Sequence, residues 1–432
     1  MANPTTNFGW VMPTPTDLVT DLPADFEVFG QGVDTAFADL NGGTTGQVLA
    51  KTSATNLDFT WTTPQVGDIT GVTAGTGLTG GGTSGTVSLE FDQANYGGGQ
   101  FSAGKNKIIN GDFGINQRAF TSITTTATYG FDRWMLQNSD GTVTYTPQTF
   151  TLGAAPVAGY EGTNFAQIVT TGQTLTSAFA TLSQRIESVR TLAGQTATIS
   201  FWAKANTGTP NVLVNVNQNF GSGGSPSASV NTTSAAQTIT TSWVRYSFTI
   251  ANPSISGKTI GTTNDGFLSA QIYVSGGSAT TGAAVGIQSN TFQIWGVQVE
   301  AGSTATPFQT ATGTKQGELA ACQRYYYRIT PLALDRSAVG FVETTTTAEL
   351  AISFPATMRT NPTALEQSGT ATDYSVRSAA GNTVCSAVPL FIAANVNYAC
   401  FRLTVAAGLT LGNAALNRSV NTAAYFAWSA EL

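Results

Sequence analysis

The side chains able to do chemistry in this sequence are few, and their kinds narrow what the chain can do. None of the 432 residues is histidine, which removes Ser/His/Asp and Cys/His nucleophilic mechanisms together with every histidine-ligated metal site. Cys322, Cys385 and Cys400 are odd in number and unclustered, so they read as reduced, buried thiols and not as a disulfide framework or a zinc site. Carboxylate pairs remain. Between residues 101 and 312 they would have to come from Asp112, Asp132, Asp140, Glu161, Glu187, Asp265 and Glu300, and glycoside hydrolysis needs two of them about 5 to 9.5 Å apart across a cleft. Several fall in turn-like sequence, so no enzymatic activity is expected.

Binding chemistry is better represented. In Ile199-Ser200-Phe201-Trp202-Ala203-Lys204 the side chains of a strand would alternate between its two faces. If Ile199, Phe201 and Ala203 fill a core, then Ser200, Trp202 and Lys204 line the other face, offering a hydroxyl, an aromatic platform and an amine with which a sheet could hold a glycan. The alternative is a second layer of structure over Trp202. Trp134, Trp243 and Trp295 are expected in the core.

A scaffold for these groups is legible around them. With 47 Gly and only 10% charged residues, the composition suits turn-rich β-structure more than helical bundles. Short strand patterns recur at Tyr129 to Leu136, Phe165 to Thr170, Leu182 to Ile186, Thr196 to Lys204, Val212 to Val216, Trp243 to Ile250 and Phe267 to Val274. Turn-rich sequence such as Gly221-Ser-Gly-Gly-Ser-Pro separates them, which predicts a jelly-roll β-sandwich over residues 101–312. From Thr314, Leu319, Cys322 and Tyr325 or Tyr326 follow helical spacing. Strands at Ala348 to Phe354, Asp373 to Arg377, Tyr398 to Val405 and Ala423 to Ser429 then predict a C-terminal β tip domain over 313–432.

The first hundred residues differ. They hold ten acidic residues and one basic, Lys51, out of a net charge of -6. Asp21 to Leu40 reads as a helix opening near Pro23, with Phe26, Phe29, Val33, Ala36 and Leu40 at the 3-4-3-4 spacing of a coiled-coil seam, or else of an amphipathic helix docked on another protein. Residues 1–43 form this segment. In 44–100, Gln47 to Lys51 and Asp58 to Thr62 read as a hairpin, and Gly67 to Asp92 as a Gly-rich stalk whose Ile69, Val72, Leu78, Val87, Leu89 and Phe91 would be buried between copies of the chain, so a homotrimer is expected. A flexible spacer is the alternative. No basic stripe suggests nucleic acid. No apolar run reaches the roughly 18 residues of a membrane span, and no secretory signal opens the chain, so assembly in a cytoplasm without membrane insertion is expected.

Asn7-Phe8-Gly9-Trp10, Thr16 to Phe26, Gly46-Gln47-Val48-Leu49 to Trp61, and Gly67-Asp68-Ile69-Thr70 with its Gly-rich continuation together resemble the N-terminal part of tailed-bacteriophage tail fibres. The resemblance covers about the first 92 residues and implies a homotrimer attached to the virion, through tail or adaptor proteins, by its N-termini. Asn110-Gly111-Asp112-Phe113, Phe131-Asp132-Arg133-Trp134, Ser200 to Lys204, and Glu300-Ala301-Gly302 with Ala305-Thr306-Pro307-Phe308 resemble the carbohydrate-binding-module-like sandwich of many phage fibres. Glu318 to Tyr326 resembles the start of their C-terminal domains. Together these resemblances imply a receptor-binding fibre that recognises host surface polysaccharide, requires no cofactor, and resides in the virion. Related sandwiches often hold a structural Ca²⁺ where first and last strands meet, which makes Asp112 and Glu300 candidate ligands; two surface carboxylates are the alternative. The rival readings of the whole chain are a purely structural virion appendage and a glycan depolymerase.

Overall fold

The computed structural model describes residues 3–64, 71–75, 77–92 and 104–432, which fall into two compact units divided after Phe91. In the first unit the expected helix is present as α1 (Leu22–Phe37), followed by a 3-10 turn over Ala38–Leu40. Pro23 stands at its start, where its missing N–H costs nothing. No residue of α1 is buried. Trp10 lies along it, 6.1 Å from Phe29 and 5.9 Å from Phe37 between ring centroids. The chain therefore covers the Phe29 part of the seam for itself, leaving Phe26 59% and Leu40 40% exposed.

Val48–Lys51 and Phe59–Thr62 form the expected hairpin. In the Gly-rich stretch, Val72–Thr73, Leu78–Gly82 and Leu89–Phe91 pair in one three-stranded sheet. A Cβ on Gly80 or Gly81 would lie 2.3 Å from the Ser88 oxygen or 2.5 Å from the Val72 oxygen. The backbone approach that these glycines signal is thus made within one chain, correcting the expectation that another copy is needed for it. Val87 precedes the last strand, half-buried, while Leu89 and Phe91 remain 46% and 55% exposed. Ile69 and the boundary expected at Tyr96 to Gly99 lie outside the described residues.

The second unit contains the sandwich. One sheet consists of β1 (Thr142–Thr149), β2 (Asn164–Thr171), β3 (Thr196–Ala205), β4 (Val244–Ala251) and β5 (Thr291–Ala301), in the order β1-β2-β5-β3-β4. The facing sheet runs Val230–Thr233, Asn211–Asn219, Phe267–Gly276, Phe179–Glu187, Met135–Ser139, Thr128–Tyr129, with Gln237–Thr238 beside Asn211–Asn219. Its neighbours pair antiparallel, as do those of the first sheet. Between the sheets Phe201, Phe248, Leu182, Val214, Ile272 and Trp134 are buried, each contributing about 1.5–3 kcal/mol of transfer free energy. The strand expected over Tyr129 to Leu136 is broken, because Arg133 takes a positive φ of 71° and the chain turns there.

After α2 (Lys315–Gln323), opened by the Thr314 side chain accepting from the Gly317 N–H at 3.0 Å, six strands close a barrel. These are β6 (Val339–Val342), β7 (Thr347–Ser353), β8 (Tyr374–Ser378), β9 (Gly381–Ala394), β10 (Tyr398–Val405) and β11 (Ala414–Ser419), in the order β6-β7-β10-β9-β8-β11. Tyr326–Ile329, Phe426–Ser429 and Glu366–Gln367 make a small sheet whose Phe426 and Trp428 join the barrel core.

Sandwich and barrel belong to one compact unit, and charged side chains tie them together. Arg133, 1% exposed, pairs with Glu431 and lies 3.4 Å from the Tyr325 ring centroid. Arg118 pairs with Asp132 at 3.4 Å and Glu431 at 3.2 Å, over the Tyr326 ring. Arg185 donates to the Leu432 oxygen, and Arg324 pairs with Glu187 at 2.9 Å. Cys322 and Cys385 are buried, Cys400 half-buried, and all three are free. Among the described residues no helix is long and apolar enough to cross a membrane.

Candidate functional site

Register fixes what the outer face of the five-stranded sheet presents. Phe201 points inward and stacks on Phe248 at 5.6 Å, so Trp202 points outward, as alternation requires. Trp202 pairs with Arg245 on β4, whose guanidinium lies 4.7 Å from the Trp202 ring centroid. One step along, Lys204 on β3 pairs with Gln293 on β5, and Gln293 with Gln167 on β2. These three half-exposed side chains form a row across adjacent strands, with Trp243 at its end, its ring 5.3 Å from the Lys204 ammonium.

Beside that row stands an aromatic layer. Trp295, fully buried, is surrounded by Trp202, Phe308, Tyr160 and Phe150 at centroid distances of 5.5, 5.1, 5.6 and 6.0 Å. Trp243 packs on Phe150 and Phe165 at 5.6 and 5.4 Å. A bulge makes room: Gly296 takes a positive φ of 64°, and a Cβ there would sit 2.7 Å from the Trp202 ring. Trp202 is therefore half covered by a second layer and half open. Trp134 is in the core as expected; Trp243 is a correction, since it lies half-buried on the outer face. The signal was present in Tyr246, Phe248 and Ile250, whose inward period places Arg245 outward.

Ser200 is also a correction. It faces outward but is 0% exposed, its hydroxyl taken by an Arg245 N–H at 2.9 Å. Arg245 also donates to the Thr306 oxygen at 2.6 Å, while its Nε has no partner. Burial pulls its pKa below the ordinary guanidinium value, with Glu300 pulling the other way. Gln293 donates to Gln167 at 2.9 Å, leaving its own buried Oε1 without a partner. Among the described residues Lys204 makes no ion pair, so the row ends in a free ammonium against an aromatic face.

The segments that carry Asp112 and Glu300 do meet, the Val297 N–H donating to the Gly111 oxygen at 2.9 Å. Asn106 donates to the Val297 oxygen at 3.1 Å and accepts from the Val299 N–H at 2.9 Å. Their carboxylates have separate partners. Glu300, 1% exposed, accepts from Gln298, the Thr306 N–H and the Thr306 hydroxyl, and Lys105 lies 3.3 Å away. An ammonium thus occupies the position a cation would take. Asp112 accepts from Tyr160 at 2.7 Å and from the Gly114 N–H at 3.3 Å. Calcium needs six to eight oxygen ligands, and among the described residues no group of three acidic side chains converges. These two residues do not fit a shared Ca²⁺.

On the other side of Tyr160 lies a cleft of about 360 Å³ lined by Asp112, Tyr160, Glu161, Lys315 and Glu318. Burial raises the Glu318 pKa, against N–H groups of Asn110 and Thr312 that hold the carboxylate. The remaining carboxylates are also engaged. Asp132 is held by Gln117 and Arg118, Asp140 by the Thr174 and Leu175 N–H groups, Asp265 by Ser222 and Thr263, and Glu161 by the Gly153 N–H.

No family model matches this chain, and no curated protein matches it. Solved structures similar in part include the enzymatically active domain of bacteriophage CBA120 tailspike protein 4, at 14% identity and TM-score 0.27 over 46% of this chain and 21% of that one. This chain thus spans about a fifth of that tailspike domain. A family 11 carbohydrate-binding module of Clostridium thermocellum, in complex with a β-1,3-1,4-mixed-linked tetrasaccharide, matches at 12% identity and TM-score 0.25 over 44% of this chain and 99% of the module. TmCBM61, in complex with β-1,4-galactotriose, matches at 12% identity and TM-score 0.25 over 46% and 99%. Similarity this low carries no argument about what this chain binds.

Proposed function

We propose that the chain is a non-enzymatic tail fibre of a tailed bacteriophage, a homotrimer that attaches to the virion by its N-terminal segment and binds host-surface glycan through its C-terminal β-unit. The observation that carries the binding reading is the outer face of the five-stranded sheet, where half-exposed Trp202 and Trp243 flank Lys204, Gln167 and Gln293. Aromatic faces stack on the apolar face of a sugar ring, while amides and an ammonium satisfy its hydroxyl groups. The trimer reading is supported by apolar surface that the first unit leaves open, including Phe26, Leu40, Leu89 and Phe91. Weak sites repeated on one trimer would then act by multivalency.

The test is adsorption blocking. Purified full chain added before infection should lower phage adsorption to its host, and Trp243→Ala should lose that effect while remaining folded, its melting temperature only modestly lowered by the lost contacts with Phe150 and Phe165. Unchanged adsorption with saturating protein would favour a purely structural appendage.

A further inference from the structure

Resting on the glycan-binding reading, we infer that the ligand is an anionic saccharide whose charged group is held by Lys204. The charge inventory of the sheet is the first observation. Across β1 to β5, Glu300 is the one acidic residue, and Lys204 and Arg245 are the basic ones. Glu300 is buried and already neutralised by Lys105. The outer face therefore carries two cations with no accessible counter-charge from its own strands, on a chain whose net charge is -6. An ammonium can donate to a neutral sugar's hydroxyl groups, but an anionic group is what the uncompensated charge attracts most strongly.

Geometry sorts the two cations. Arg245 is committed: one of its nitrogens donates to Ser200 and Thr306, and its plane is laid against Trp202. Lys204 makes no ion pair and is half-exposed, its ammonium 5.3 Å from the centroid of the Trp243 ring. Directly paired residues hold their Cβ atoms about 4.5–5.5 Å apart, so Lys204 and Gln293 can reach one pyranose together. The hydrogen-bonded Gln293 and Gln167 amides offer polar groups to a hydroxyl of that ring, Trp243 takes a face, and Lys204 takes the anion. An ammonium is a point charge without the planar fork that selects carboxylate geometry. The shared chemistry is thus a negative group on a sugar, a uronate carboxylate or a backbone phosphate.

Affinity electrophoresis of the full chain separates these cases, using gels containing polygalacturonate, poly(glycerol phosphate) bearing sugar substituents, or neutral galactan. Net repulsion between an acidic protein and a polyanion makes retardation a local effect. The expected result is retardation by one of the two polyanions, weakening as salt rises. Lys204→Gln lowers that affinity about tenfold, the equivalent of about 1.4 kcal/mol, and removes the salt dependence, while Lys204→Arg keeps affinity within about twofold. Which polyanion retards the chain decides between uronate and phosphate. Retardation by neutral galactan with Lys204→Gln unaffected overturns the anionic inference and leaves glycan binding standing. Absence of retardation in all three gels overturns both.

Discussion

Removing the charge of Glu431 should destabilise sandwich and barrel together. Glu431 is the carboxylate partner of Arg133 and one of two partners of Arg118. In Glu431→Gln, Arg118 keeps Asp132. Arg133, 1% exposed, keeps the Arg185 carbonyl oxygen and the Tyr325 ring but no counter-charge. Leaving one member of a buried pair uncompensated costs about 3–5 kcal/mol. The unit from Asp92 onward has roughly 340 residues. At an unfolding entropy of about 2.1 cal/mol/K per residue, the melting temperature should fall by about 4–7 °C. Calorimetry of the full chain should show sandwich and barrel moving as one transition. The double variant Arg133→Met/Glu431→Leu should regain most of the loss, because apolar groups of similar volume replace a buried ion pair at little cost. A fall below about 1 °C in Glu431→Gln, or a double variant no better than the single, would refute this account of the junction.

Phe201→Ala should cost about 3–5 kcal/mol through a core cavity and Trp202→Ala distinctly less, measured by denaturant unfolding; equal costs would contradict the face assignment. Lys105→Met should destabilise the chain by about 3 kcal/mol, since it strands Glu300 in the interior, whereas a chelator should leave the melting temperature unchanged. Burial pushes the Asp132 carboxyl up to about 6, against the pull of Arg118 and Gln117. The folded state then holds this proton more tightly than the unfolded chain, so the contribution of Asp132 is fully present below about pH 4 and is lost as pH rises through 6. The stability of wild type relative to Asp132→Asn should accordingly fall by about 2–3 kcal/mol between pH 4 and 7; a flat difference would place the carboxyl in the ordinary range. Native mass measurement should give three copies, and Phe26→Asp with Phe91→Asp should shift the population toward monomer; a wild-type monomer at micromolar concentration would sink the trimer.

Elements with one dominant period were legible. The helix at Leu22–Phe37, the hairpin around Thr52 to Asp58, and strands such as Thr196–Ala205 follow from spacing and punctuation. So does the opposition of Phe201 and Trp202. β1 escaped because its alternation is written in threonine and tyrosine and contains Pro147, which normally argues against a paired strand. β9 escaped because Ser386 and Pro389 blur its period, and the structure has register shifts at those places. The binding row was only partly readable. Lys204 follows from alternation, but that Gln293 and Gln167 stand beside it depends on β5 lying between β2 and β3, long-range pairings, 126 residues apart for Gln167 and Gln293, that no local pattern encodes. Likewise Asp112 and Glu300 sit in segments that meet, yet Lys105 decides the chemistry there.

The Arg133–Glu431 pair joins positions 298 residues apart in sequence, which sets an order in time. At translation rates of about 5–20 residues per second, the guanidinium of Arg133 leaves the ribosome roughly 15–60 s before its carboxylate. During that interval the sandwich can assemble its apolar layers but cannot dehydrate Arg133 without leaving a charge unpaired. The nascent sandwich should remain open at the Phe131–Trp134 turn until the Phe426–Leu432 segment arrives, a natural point for a chaperone to hold the chain.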